Sequence, residues 1–390
     1  MDSIHPQGRV FLFFNVINGR GILASHLLKS LPNMHLQKPH EGRLHQGTNN
    51  IPDFFIIGAP KCGTTAMAEY LSHHPDVYMA KKEMHYFGSD LKFGGQIYCR
   101  DRQAYLREFA AWNGQTRAGE ASVWYLFSKK AAAEIKAFNP GARIIIMLRE
   151  PTEMLYSLYS QFRLDGNECL ATLGEALAAE ADRRTGRRIS RQTYFLQGLA
   201  YHEVARYSEQ IRRYFEVFGR DRVHVVLYDD FAADTAAAYA GVLEFLGVNA
   251  APMKKTFHVI NPSQRVQSPV LRAIMSDPLV RGTAIATRKW LPRPVFVTLQ
   301  KIEARLMRYN IRPAKRPQLD AAVRARLKEQ FRSEVACLGE LLNRDLSSWS
   351  KIEKLAAGHP DLPAPEKTTA GSLALAGESK PNQAGHHVSA

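Results

Sequence analysis

The sequence predicts an α/β fold in three layers, with a central, mainly parallel β-sheet flanked by helices. Continuous apolar runs recur at Phe54–Ile57, Val77–Met79, Arg143–Leu148 and Val223–Tyr228. Unbroken runs of this kind suit strands covered on both faces. Stretches of helical periodicity separate them, and strands joined by helices favour parallel pairing through right-handed crossovers.

Taken in order, Phe54–Ile57 is the first strand. Ala66, Met67, Tyr70 and Leu71 then fall at helical spacing until His74-Pro75 stops the helix. Val77–Met79 is a short second strand. An aromatic and charged connector leads to Gly119–Leu126, and Ser128–Phe138 reads as a helix ended by Asn139-Pro140-Gly141. Arg143–Leu148 is the most strand-like segment, and Pro151 suits the first turn of the helix that follows. Residues 170 to 218 read as mostly helical, Val223–Tyr228 as a strand, Tyr239–Leu246 as a helix, and Leu319–Leu346 as one closing amphipathic helix. Residues 1–50 are expected to be a poorly ordered leader, 51–350 the folded domain, and 351–390 a disordered tail rich in Ala, Gly, Pro and Ser.

The stretch Phe54-Phe55-Ile56-Ile57-Gly58-Ala59-Pro60-Lys61-Cys62-Gly63-Thr64-Thr65 carries the strongest chemical signal. A strand, a Gly- and Pro-containing turn and a helix N-terminus bring backbone N–H groups, a lysine and two hydroxyls to one small volume, which suits a phosphate or sulfate. The spacing is P-loop-like but departs from G-x-x-x-x-G-K-[ST]: Thr64 stands at the lysine position and the lysine has moved to Lys61. A helix-capping threonine alone would explain neither Pro60-Lys61 nor Gly63.

Other candidates sit where the carboxyl ends of strands are expected, the usual place for ligands in open α/β sheets. Arg149 ends the central strand and Ser157 lies two helical turns on. Together they offer an arginine fork and a hydroxyl for a second phosphate, although Arg149 alone would suit a structural ion pair. Glu83 and His85 follow the second strand, and either could take a proton from an acceptor hydroxyl. Lys81 and Lys82 beside them would favour an ionised Glu83 or bind an anionic acceptor. The Arg183–Arg191 cluster reads as a solvated face. Asp229-Asp230, without identifiable carboxylate partners, reads as the end of a strand and the start of a helix rather than a metal site.

Bulk properties narrow the partners. The formal charge of +15, from 52 Lys+Arg against 37 Asp+Glu, calls for an anionic partner. Four cysteines without C-x-x-C spacing make zinc and a disulfide framework poor readings, so a reducing, cytoplasmic setting is expected. No segment reaches the roughly 18 to 20 apolar residues of a membrane span, which leaves weak peripheral membrane contact as a minor reading.

With these residues laid out, the chain resembles the sulfotransferases that use 3'-phosphoadenosine 5'-phosphosulfate. It is most similar to bacterial relatives of the carbohydrate, heparan sulfate-type group. Phe54–Thr65 is similar to the family's 5'-phosphosulfate loop, and Lys82-Glu83-Met84-His85-Tyr86-Phe87 to its K-E-x-H-[FY]-F segment. Arg143–Ser157 resembles its 3'-phosphate motif, and Gly119-Glu120-Ala121-Ser122 its G-E-[AK]-[ST] connector, with Ala121 where several heparan-modifying members have lysine. Leu341–Trp349 is similar to the closing helix, and Lys315-Arg316-Pro317 to a basic loop over the donor. The resemblance implies donor contacts from Lys61, Cys62, Gly63, Thr64, Thr65, Arg149 and Ser157, and no metal. It implies catalysis with Glu83 as base, Lys61 at the leaving phosphate and His85 assisting. The acceptor would be a hydroxyl or amine on a carbohydrate, glycolipid or small molecule. Two rivals remain at this level. A nucleotide-dependent kinase of the P-loop fold would need a lysine at the Thr64 position and a magnesium-binding aspartate. A basic nucleic-acid-binding protein would need a recognised motif, and none is evident.

Overall fold

The computed structural model describes residues 51–94, 99–249 and 317–352, the strand backbones at Gln264–Val266 and Ile311–Pro313, and positions 295 and 298. The leader at 1–50, nearly all of the tail, and Lys315-Arg316 lie outside these residues. The chain divides into one unit up to Lys351 and a second from Ile352 to Ala390, of which only Ile352 is described.

Five parallel strands form the sheet of the first unit. They are β1 (Phe54–Ile56), β2 (Val77–Met79), β3 (Arg117–Ala121), β4 (Arg143–Leu148) and β5 (Val223–Leu227), in the order β2-β3-β1-β4-β5. β1 pairs with β3 at Phe55↔Glu120 and with β4 at Phe55↔Ile144. Phe54, Phe55, Ile56 and Ile144 to Leu148 are fully buried, as strands covered on both faces require. Each such side chain contributes about 1.5–3 kcal/mol by leaving water.

β3 is a strand where the sequence pattern suggested a connector. Its Arg-Ala-Gly-Glu-Ala run is not apolar, yet it fills the slot between β1 and β2. Gly119 makes that fit possible, because a Cβ there would lie 2.5 Å from the Phe54 ring.

The crossover helices include α1 (Thr64–Ser72) and the helices Ala131–Phe138, Pro151–Asp165 and Tyr207–Phe218, and the helix Thr235–Leu246 follows β5. The region between 170 and 218 is broken into short helical pieces at Leu173–Ala178, Glu180–Arg184 and Tyr201–Val204 ahead of the Tyr207–Phe218 helix. The closing segment is also not one helix. It splits at Phe331 into Ala321–Gln330 and Arg332–Leu342, and Asn343 ends the second in a left-handed conformation. Leu327, Phe331, Val335 and Leu338 still bury one stripe against the core. Trp349 is buried beyond them, and its Nε1 donates to Asp229 Oδ2 at 2.6 Å. Outside the main sheet, Gln264–Val266 and Ile311–Pro313 pair antiparallel as β6 and β7.

Candidate active site

The strand order makes the chain leave β1 toward one edge of the sheet and β4 toward the other. The carboxyl ends of these neighbours therefore flank a switch point, where open parallel sheets leave a crevice for ligands. Ala59 N–H donates to Met147 O at 2.6 Å and Met147 N–H to Gly58 O at 2.7 Å, so the loop after β1 is fastened to β4 beyond the end of the strand. Gly63 begins α1 with φ 91°, and no side chain among the described residues caps the helix there. A Cβ at Gly63 would lie 3.3 Å from Met147 Cε and 3.4 Å from the Tyr228 and Phe231 rings, in a conformation that favours glycine. The first turn of α1 is thus left without a side-chain cap among the described residues.

The side chains of the loop divide by direction. Lys61, at φ 63°, donates from Nζ to Gln161 Oε1 at 3.2 Å. Cys62 is fully buried with its thiol on Pro60 O at 3.4 Å, and burial pushes that thiol up to about 12. A thiol so placed stays protonated, and only the Cys62 backbone can serve a ligand. Thr64 is buried, while Thr65 is half-buried and its Oγ1 accepts from Lys82 Nζ.

Lys82 reaches in the other direction to Glu83, at 3.3 Å from Nζ to Oε1. Glu83 Oε2 accepts from Val123 N–H at 3.2 Å and lies 3.3 Å from His85 Nε2. Both Glu83 (φ 62°) and His85 (φ 49°) have left-handed backbones, uncommon for residues with side chains. His85 is buried, stacks on Phe93 with ring centroids 4.5 Å apart, and has no partner for Nδ1 among the described residues. Burial pushes its pKa down against the opposing pull of Glu83, so the ring is neutral near pH 7.

Beneath this strap lies Glu120, with no exposed surface. It accepts from Tyr105 OH at 2.8 Å, Ser122 Oγ at 2.9 Å and Tyr125 OH at 3.0 Å. Burial raises its pKa to about 7 against the lowering effect of the three hydroxyls, with the nearby Glu83 charge adding to the rise.

After β4 the arrangement differs. Glu150 turns its carboxylate onto the N–H groups of Thr152 and Glu153, both at 2.9 Å, and so caps its own helix. Arg149 lies with its guanidinium carbon 4.7 Å from the Tyr228 ring centroid and its Nη2 3.5 Å from Glu153 Oε2. It is close enough to Cys62 to act on the thiol, which places it beside the loop. Glu153 also binds Arg324 at 2.5 Å, and Tyr156 OH donates to Pro317 O at 2.8 Å. Ser157 is buried on the same helix.

The fold therefore links Thr65 to Glu83 through Lys82, ties Lys61 to Gln161, and sets Arg149 beside the same loop. The arginine cluster is not uniformly a solvated face. Arg183 is buried in a two-pronged pair with Glu168, both contacts at 2.7 Å, while Arg184 and Arg187 are exposed. Asp229 and Asp230 begin the helix Tyr228–Ala233 and bind Trp349 and Arg344. Sequence reasoning missed Gln161, Glu153, Tyr228 and the Glu120 hydroxyl cluster. Tyr228 carries a usable signal, since it follows β5 at the same sheet edge.

The sulfotransferase domain family matches residues 51–339. The human protein named heparan sulfate glucosamine 3-O-sulfotransferase 5 is 32% identical over 126 residues, covering 32% of this chain and 35% of that protein. The Caenorhabditis briggsae bifunctional heparan sulfate N-deacetylase/N-sulfotransferase 1 is 25% identical over 208 residues, 53% of this chain and 24% of that protein. The chain spans a quarter to a third of the length of these curated relatives. A crystal structure of a sulfotransferase from Alicyclobacillus acidocaldarius superposes with a TM-score of 0.54 at 29% identity, covering 77% of this chain and 99% of the other. With the domain match extending from just before β1 into the closing helices, the chain belongs to the sulfotransferase domain family.

Proposed function

We propose that this protein transfers a sulfuryl group from 3'-phosphoadenosine 5'-phosphosulfate to a hydroxyl or amine of a carbohydrate or glycolipid acceptor. The observation that carries the reading is the continuous link from Thr65 through Lys82 to Glu83, which ties the phosphate loop to a carboxylate at the same sheet edge. A donor anion and a base are then held in one frame, as in-line transfer demands. The residues fit the donor: uncapped N–H groups at α1 and Lys61 suit the 5'-phosphosulfate, and Arg149 with Ser157 suits the 3'-phosphate.

In the reaction, the acceptor oxygen or nitrogen forms a bond to sulfur as the bond from sulfur to the 5'-phosphate oxygen breaks. Glu83 takes the acceptor's proton, and the neutral His85 ring holds Glu83 in place through Nε2. Lys61 leaves Gln161 and neutralises charge developing on the phosphate oxygen. Little covalent work falls to the protein, so positioning and electrostatics supply most of the rate. The heparan sulfate relatives support a carbohydrate acceptor for this chain, and the +15 charge accords with an acidic one. The free thiols of Cys62, Cys99, Cys169 and Cys337 accord with a cytoplasmic setting.

The test is a transfer assay with radiolabelled donor against a panel of glycans and glycolipids, alongside calorimetry with 3',5'-adenosine bisphosphate and with ATP–magnesium. Glu83→Gln is expected to bind the bisphosphate normally and to lose about 10²- to 10⁴-fold in turnover. Preference for ATP, or near-normal turnover of Glu83→Gln, would overturn the reading.

A further inference from the structure

We propose that Glu120 is a positioning residue that sets the catalytic strap through the direction of its hydrogen bonds. This rests on the proposed transfer reaction, because the strap it holds carries Glu83 and His85.

A serine or tyrosine hydroxyl has one proton and a lone-pair face. Ser122 Oγ and Tyr125 OH each spend the proton on Glu120, at 2.9 and 3.0 Å. Their lone pairs are thereby turned outward to the strap. Ser122 Oγ accepts His85 N–H at 3.1 Å, and Tyr125 OH accepts Tyr86 N–H at 2.8 Å and Phe87 N–H at 3.3 Å. Three successive strap amides are thus held by two hydroxyls whose orientation one buried carboxylate dictates. Tyr105 supplies the third donor at 2.8 Å, and its ring stacks on Tyr86 with centroids 4.1 Å apart.

The arrangement answers a specific need. Glu83 and His85 occupy left-handed backbone conformations that isolated residues of their kind avoid. The amides from His85 to Phe87 fix the chain just where those conformations must persist. A carboxylate accepts from all three hydroxyls at once. An amide in its place has a donor end as well, so at least one hydroxyl would have to accept from it, free its own proton and lose the orientation that aims a lone pair at the strap N–H.

The experiment compares Glu120→Gln, Ser122→Ala and Tyr125→Phe with the unaltered protein by three measurements. Steady-state transfer at pH 8, where Glu120 is ionised, is expected to show kcat lowered about 10- to 100-fold in Glu120→Gln, with the donor KM nearly unchanged. Hydrogen exchange is expected to speed up at His85, Tyr86 and Phe87 in Glu120→Gln, at His85 in Ser122→Ala, and at Tyr86 and Phe87 in Tyr125→Phe. Calorimetry with 3',5'-adenosine bisphosphate is expected to give unchanged affinity. Unaltered kcat in folded Glu120→Gln, or exchange rising evenly over the sheet, would overturn the proposal. If Glu120→Gln does not fold, the two hydroxyl variants decide by the same exchange pattern. Failure of the unaltered protein to bind the bisphosphate would instead count against the transfer reaction, and the exchange pattern would still judge the strap.

Discussion

After β1, the helix begins at a left-handed glycine and its first turn is left uncapped by any described side chain. After β4, Glu150 folds its own carboxylate onto the first turn. The two turns stand side by side at the switch point, yet the first offers an anion its backbone and the second offers only side chains. A helix N-terminus attracts negative charge in either case. In the second turn the protein supplies that charge itself, and Arg149, stacked on Tyr228, is left as the group that would meet a ligand's phosphate. The difference teaches that, if the proposed donor binds here, one end would grip it by preformed N–H groups plus Lys61, and the other by a planar fork.

The comparison can be broken at its strongest point by Lys61→Ala. Turnover is expected to fall about 10²- to 10³-fold, since one group aimed at developing charge is removed. Binding of the bisphosphate should weaken far less, because the backbone of the loop remains. Equal losses in kcat and affinity would show that Lys61 only binds. Next in size is Arg149→Ala, for which bisphosphate affinity should drop about 10- to 100-fold, the loss of charged hydrogen bonds. Affinity for adenosine 5'-phosphate should change little, and calorimetry with both nucleotides checks the contrast. Glu150→Ala should have the smallest effect, about 1 kcal/mol of stability by thermal unfolding for the lost cap. Should anion binding tighten in that variant, the second helix end would prove to be a site that Glu150 blocks.

Much of this was readable in the sequence, for identifiable reasons. β1 and the Ile144–Leu148 part of β4 are apolar because both their faces are covered, and Gly63 at its fixed offset after β1 marks the start of the helix. Arg149 was readable because it directly follows a strand. β3 was not, since Gly119 makes room for the Phe54 ring, Glu120 is buried among hydroxyls and Arg117 pairs with Asp53, so none of the three reads as apolar. Phe331 divides the closing segment although the apolar spacing runs on across it, because the stripe constrains which residues are buried and not whether the backbone bends between them. The bridge made by Lys82 depends on long side chains meeting across the fold, a contact no local spacing encodes. Glu120 stands within the run Gly119-Glu120-Ala121-Ser122, but nothing in that run says the carboxylate is enclosed by Tyr105 and Tyr125.

That enclosure has a consequence for how stability depends on pH. The folded state holds the Glu120 proton up to about pH 7, against a reference value of 4.5 for the unfolded chain. A carboxyl group shifted upward in this way adds stability below the unfolded value and loses it as pH rises through the folded one. The loss amounts to about 3 kcal/mol. Chemical unfolding at pH 5 and pH 8 should therefore show the unaltered protein losing most of this increment, and Glu120→Gln showing no such dependence. At alkaline pH the fold therefore carries a buried charge whose three hydroxyl partners need it, so stability there is given up for the order of the hydroxyl cluster.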